Sequence, residues 1–207
     1  MSSTSGSCTA LILLLVVSAG LAQSGPSANS ATGPVTIAVY DYAHIPDGFL
    51  AAAEEDGRRI FRKAGLETVW VSCFPKAAPV ESESCRIVDR NHLVIKILPH
   101  AISEQDHDRQ GAFGYAIVDD NGTGYYTYAF YDRIERVTEE RKLGHALLGA
   151  VMAHEIGHLL LGSNSHSVSG IMTAHWDGTE LRRISEGNMC FLSRQSQVIK
   201  DRMHTRE

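Results

Sequence analysis

The chain has 207 residues, with 24 Asp and Glu against 19 Lys and Arg and a formal net charge of -5. That balance excludes the cationic footprint of a nucleic-acid binder and the polybasic face of a membrane-surface protein, so neither nucleic acid nor a stable membrane contact is expected as a partner. The length suits one domain with its own core, without a dense set of disulfide or metal staples.

From the N-terminus, Ala10 to Ala22 (ALILLLVVSAGLA) is an apolar run too short to span a bilayer, and it ends in small residues before Gln23. This is the pattern of a secretory signal peptide over 1–22, and it predicts secretion or export to a periplasm. Met1 to Thr9 lacks the Lys or Arg that usually precedes such a run, so an uncleaved anchor is the competing reading. Cys8 precedes the run and is not placed for lipid attachment. Residues 23–34 form a leader whose Ser, Gly, Ala and Pro content without periodicity predicts disorder. The leader has no candidate inhibitory cysteine and is too short to fold, so no cysteine-based latency is expected.

A single folded domain is predicted over 35–207. Val35 to Tyr42 (VTIAVYDY) has the β-branched and aromatic content of a strand. Asp47 is expected to cap a helix carrying Phe49, Leu50, Ala53, Ile60 and Phe61 on its apolar face and ending at Gly65. Strands follow at Leu66 to Cys73 and His92 to Leu98. Phe113 to Val118 and Tyr125 to Tyr131 read as a strand pair, with Asn121-Gly122 supplying a tight hairpin turn. Asn121-Gly122-Thr123 also fits a glycosylation acceptor, but turn chemistry already accounts for it. In YYTYAFY, period-2 alternation puts Tyr126, Tyr128 and Phe130 on one sheet face and Tyr125 and Tyr131 on the other. Thr138 is expected to cap a long helix through about Leu161, and a last helix runs from about Thr179 or Ser185 to the C-terminus. No internal repeat is visible. This order predicts an α/β (α+β) fold, a mixed twisted sheet with helices packed on it.

Removing the signal leaves Cys73, Cys85 and Cys190. In an oxidising compartment Cys73 and Cys85 are expected to close a disulfide across an exposed loop containing Pro75 and Pro79, worth roughly 2–3 kcal/mol. Cys190 stays unpaired, and its neighbours Met189, Phe191 and Leu192 suggest a core position. Asp106, His107 and Asp108 read as a solvated loop, because a hard-metal site needs more oxygen ligands than one short segment offers.

The chemistry lies on the long helix. Leu143, Leu147, Ala150 or Val151, His154, His158 and Leu161 recur every three or four residues and predict one inward stripe. Imidazoles four residues apart project in one direction a turn apart, so both can reach one zinc ion at about 2.0–2.1 Å. Glu155 is rotated about 100° from His154. From there it can reach a water beside the metal rather than the metal. HEIGH is thus an H-E-x-x-H pattern, although two buried hydrogen-bonded histidines and a chance glutamate would satisfy the same five positions. A catalytic zinc usually takes three protein ligands, and Gly162 offers a helix stop from which the chain can turn back to present His166.

HEIGHLLLGSNSH followed by SGIMTAHW resembles the metzincin metallopeptidases, which carry H-E-x-x-H-x-x-G-x-x-H and then a tight turn with a methionine beneath the metal. The resemblance implies His154, His158 and His166 as zinc ligands, Glu155 as the base, Gly162 as the helix-ending glycine and Met172 as the residue of the methionine turn. The family spacing would put the glycine at Leu161 and the last histidine at Asn164; here they come one and two residues later. It also implies an edge strand above the cleft, with Phe113 to Val118 as the candidate, and a C-terminal helix after the turn. His175 and Trp176 are candidates to line the pocket.

The function implied is that of a secreted zinc-dependent endopeptidase acting on peptide or protein substrates, expected as a monomer. Two alternatives stay open: a zinc peptidase with Glu180 or Glu186 as third ligand, and a secreted binding protein that keeps zinc as a structural element.

Overall fold

A computed structural model describes residues 33–73, 83–89, 91–101 and 111–205. The signal segment 1–22, most of the 23–34 leader, Pro75, Pro79, Asp106, His107 and Asp108 lie outside these residues.

Five strands form one mixed sheet: β1 (Val35–Asp41), β2 (Thr68–Ser72), β3 (His92–Leu98), β4 (Gly114–Ile117) and β5 (Tyr126–Phe130), in the order β2-β1-β3-β5-β4. The first four in that order are parallel, and β4 runs antiparallel to β5 at the edge. In the central strands VTIAVYD and HLVIKIL no side chain is exposed and most are buried, on both faces of the sheet, as expected where both faces are covered. The expected α/β fold is therefore present, and the predicted β3 limits match the structure.

One face carries the helices. α1 (Asp47–Lys63) and α4 (Ala146–Leu161) lie on it, and Ile37, Val39, Leu93, Ile95, Ile97 and Ala129 join Phe61, Leu147, Met152, Ile156 and Leu159 in the main core. The two helices cross at backbone contact: a Cβ on Gly149 would lie 2.5 Å from the Ala53 carbonyl oxygen. On the opposite face, the single turn α2 (Glu83–Arg86) is tied down by the Cys73–Cys85 disulfide, with Cα atoms 5.5 Å apart. The Tyr40 hydroxyl donates to the Cys85 carbonyl at 2.6 Å. Tyr128 stacks on Tyr115 at 4.8 Å and Phe130 lies 5.9 Å from the same ring, so the alternation read from YYTYAFY holds for this face.

Several boundaries depart from expectation. The single helix from Thr138 to Leu161 is two helices, α3 (Tyr131–Arg141) and α4, because Lys142 and Gly144 both adopt left-handed backbone (φ 56 and 58). Thr138 sits inside α3, where its carbonyl accepts from the Leu143 amide. The last helix is likewise split at left-handed Gly187 (φ 67) into α5 (Gly178–Ser185) and α6 (Ser193–Thr205). Pro46, not Asp47, holds the N-cap position of α1, while Leu66 and Gly65 amides return to the Phe61 and Arg62 carbonyls at the other end, the bonding that a left-handed glycine permits. The β4–β5 connection turns tightly at Asn121-Gly122, as expected, but over three residues instead of two: the Gly122 amide donates to the Asp119 carbonyl at 2.9 Å and the Asp119 amide to the Thr123 carbonyl at 2.8 Å. Ile117 pairs with Tyr126, and the Asp119 carboxylate accepts from the Asn121 and Thr123 amides within the turn, with only Gly122 of the Asn-Gly pair at positive φ. Cys190 is free but half-buried, between the buried Met189 and Phe191.

Candidate metal centre

α4 is not amphipathic: Leu147 through Gly157 are all buried, with Leu159 and Leu160. The stripe predicted along one face is too narrow a description, since the helix is enclosed between the sheet, α1, α5 and α6. Burial on all sides fixes the rotation of α4 and hence the direction of His154 and His158.

Both imidazoles are held from behind. The His154 Nδ1 lies 2.7 Å from the Ile171 carbonyl oxygen, which can only accept, so Nδ1 carries the proton and Nε2 keeps its lone pair. The His158 Nδ1 lies 2.7 Å from the Ser165 hydroxyl. The two Nε2 atoms approach to 3.1 Å. Tetrahedral coordination at about 2.0–2.1 Å separates neighbouring nitrogens by roughly 3.4 Å, so this pair is spaced as two ligands of one ion. His166 completes the group: its ring is 4.7 Å from that of His158 and 5.5 Å from that of His154. The ligand atoms of all three lie within 4.8 Å of one another, an arrangement that can hold a metal ion. Among the described residues no other group of three His, Cys, Asp or Glu does so.

Burial favours the uncharged imidazoles that coordination needs. It pushes His154 down to about 4, aided by His166, and His158 down to about 3, with His154 and His166 adding to the effect. His166 is lowered by burial and then by His175. Glu155, next to His154 and only 5% exposed, lies under β4, where a Cβ on Gly114 would come within 3.0 Å of its Oε1.

The third histidine stands on irregular chain that is anchored at several points. Gly162 ends α4 at φ 83, ψ -161, a region open to glycine alone. Arg202 of α6 reaches over it and donates to the carbonyls of Leu161 and, at 2.8 Å, Gly122. Asn164 turns the chain with left-handed backbone (φ 56), and the Gln195 amide donates to the Ser165 carbonyl at 3.2 Å. Beyond, the Ser167 amide donates to the Met172 carbonyl at 2.9 Å, and the Ile171 amide to the Cys190 carbonyl. Met172 is fully buried against Gly157, where a Cβ would sit 2.6 Å from its sulfur.

A cleft of about 650 Å³ joins these parts, lined by Gly111 to Ala116 of the edge-strand side, the three histidines, Glu155 and Thr173 to Trp176. His175 and Trp176 are both among its lining residues. Trp176 packs edge-on against His154 at 5.5 Å and 6.0 Å from Phe113, linking the floor of the cleft to its upper wall. Glu180 is engaged elsewhere, in the capping box that starts α5, and exposed Glu186 accepts from Asn188; neither joins the cluster.

Ser165, Gln195 and Arg202 escape sequence reasoning, because a serine in a polar loop and two polar residues on a terminal helix carry no signal of what they will meet. The chain matches no protein-family model and no curated protein.

Proposed function

We propose that this chain is a zinc-dependent peptide hydrolase, with His154, His158 and His166 as the metal ligands and Glu155 as the general base. The observation that carries the reading is the convergence of three imidazoles beside a buried carboxylate in one cleft beneath an antiparallel edge strand. The donor set is all nitrogen and borderline-soft, and three protein ligands with an open position are the usual complement of a catalytic zinc.

Zinc, when bound, supplies a Lewis acid that polarises a scissile carbonyl and acidifies a water. The protein's own groups do the rest. Glu155 would serve as the base that takes a water's proton and passes it to the leaving amine, so no covalent intermediate on the enzyme would be required. β4, the edge strand of the sheet, offers backbone groups to an extended peptide, and the aromatic wall of Phe113 and Trp176 offers apolar contact. The disulfide and the apolar N-terminal run support action outside the cytoplasm, and no helix of the described residues is long and apolar enough to cross a membrane.

Digestion of a peptide library with and without a chelator tests the reading, with Glu155→Gln alongside. The variant is expected to keep its zinc and lose roughly 10²–10⁴-fold in turnover. Zinc binding without chelator-sensitive hydrolysis in the parent protein would instead favour a structural metal.

A further inference from the structure

Compared with the resemblance it carries, this chain has one extra residue before the helix-ending glycine and one more before the last histidine. The structure gives that lengthened loop a use. After the left-handed turn at Asn164 comes Ser165, the residue just before His166, whose hydroxyl lies 2.7 Å from the Nδ1 of His158. The Ser165 backbone is held in turn: its carbonyl accepts from the Gln195 side chain, whose own oxygen accepts from the Leu192 amide at 3.0 Å. One residue therefore joins the second histidine, the loop of the third histidine and the start of α6.

We infer that Ser165 is a positioning residue for the metal, accepting a hydrogen bond from His158 Nδ1–H and so presenting the His158 Nε2 lone pair to the ion. The inference rests on the reading of the three histidines as a metal site. The need for it follows from a contrast between the helical ligands. His154 faces a backbone carbonyl, which cannot donate and so fixes the tautomer outright. Among the described residues, the His158 Nδ1 meets a hydroxyl instead of a carbonyl. A hydroxyl can bond either tautomer, so its part is to hold the ring: without it the imidazole can turn about χ2 and swing the Nε2 lone pair off the ion. Partners behind ligating histidines typically contribute a factor of roughly 10–100 to metal affinity. Ser165 also lies next in sequence to His166, so its hydrogen bond fixes the distance between two ligands as well as the orientation of one.

The test measures zinc affinity by chelator competition in the full chain, for the parent, Ser165→Ala and Ser165→Thr, with the cobalt-loaded absorption spectrum as a second readout. Ser165→Ala is expected to bind zinc roughly 10–100-fold more weakly and to show an altered cobalt spectrum, while the metal-free proteins unfold at the same temperature. Ser165→Thr keeps the hydroxyl and is expected to match the parent in both. Equal affinity in Ser165→Ala and the parent would overturn the inference and leave the metal site standing. So would a loss in Ser165→Thr as large as that in Ser165→Ala. Failure of the parent itself to bind zinc or cobalt would overturn the reading beneath it.

Discussion

The two halves of the candidate metal site are built by different means. His154 and His158 stand on a helix so enclosed that its rotation is set by the core, and four residues of helical spacing bring their Nε2 atoms to 3.1 Å. His166 stands on a loop whose path depends on a glycine-only backbone at Gly162, an arginine from the C-terminal helix and side-chain hydrogen bonds through Ser165 and Gln195. The helical half is determined locally and the loop half by contacts distant in sequence. The loop half is therefore the part that single substitutions outside the ligands should loosen.

The largest such effect is expected from Gly162→Ala. The residue would have to hold φ 83, and its Cβ would meet the Arg202 guanidinium and the Gly122 carbonyl. Backbone strain plus overlap should cost roughly 3 kcal/mol in thermal or chemical unfolding. A change near zero would mean that the loop is not fixed as described. Next comes Arg202→Ala, which leaves the Leu161 and Gly122 carbonyls without their donor. A loss of roughly 1–3 kcal/mol is expected, together with weaker metal binding, because His166 loses an anchor while the helical pair does not.

The effect of acid sharpens the contrast from the other side. In the metal-free protein His154 and His158 titrate at about 4 and about 3 when folded, against about 6.5 when unfolded. Between those values the unfolded chain binds more protons, so stability is greatest above about 6.5 and declines as pH falls towards 4. Replacing His158 with Gln should flatten that decline in a denaturation series across this range; an unchanged slope would show that the ring is not buried neutral.

How much of this was legible in the sequence follows the same division. Runs such as VTIAVYD and HLVIKIL are buried in parallel strands and announce themselves by composition, and HEIGH by its spacing. The Cys73–Cys85 disulfide follows from compartment and proximity in sequence. What sequence reasoning missed lies at joints: the break between α3 and α4 depends on left-handed Lys142, a residue with no preference for that conformation, and α4 hides its direction because it is apolar all round. The expected tight turn is present, with Gly122 as its left-handed residue, but the two amide bonds to the Asp119 carboxylate carry no signal in the Asn-Gly pair itself. Ser165, Gln195 and Arg202 act across the fold, and no local pattern encodes their partners.

The most direct test of the central claim is the metal content of the purified protein beside that of His166→Ala. Three imidazoles closing on one ion predict a single zinc per chain in the parent, and its loss on gentle dialysis once His166 is removed. Retention of zinc at the parent's affinity in His166→Ala would contradict the account, because the loop histidine would then take no part in holding the metal.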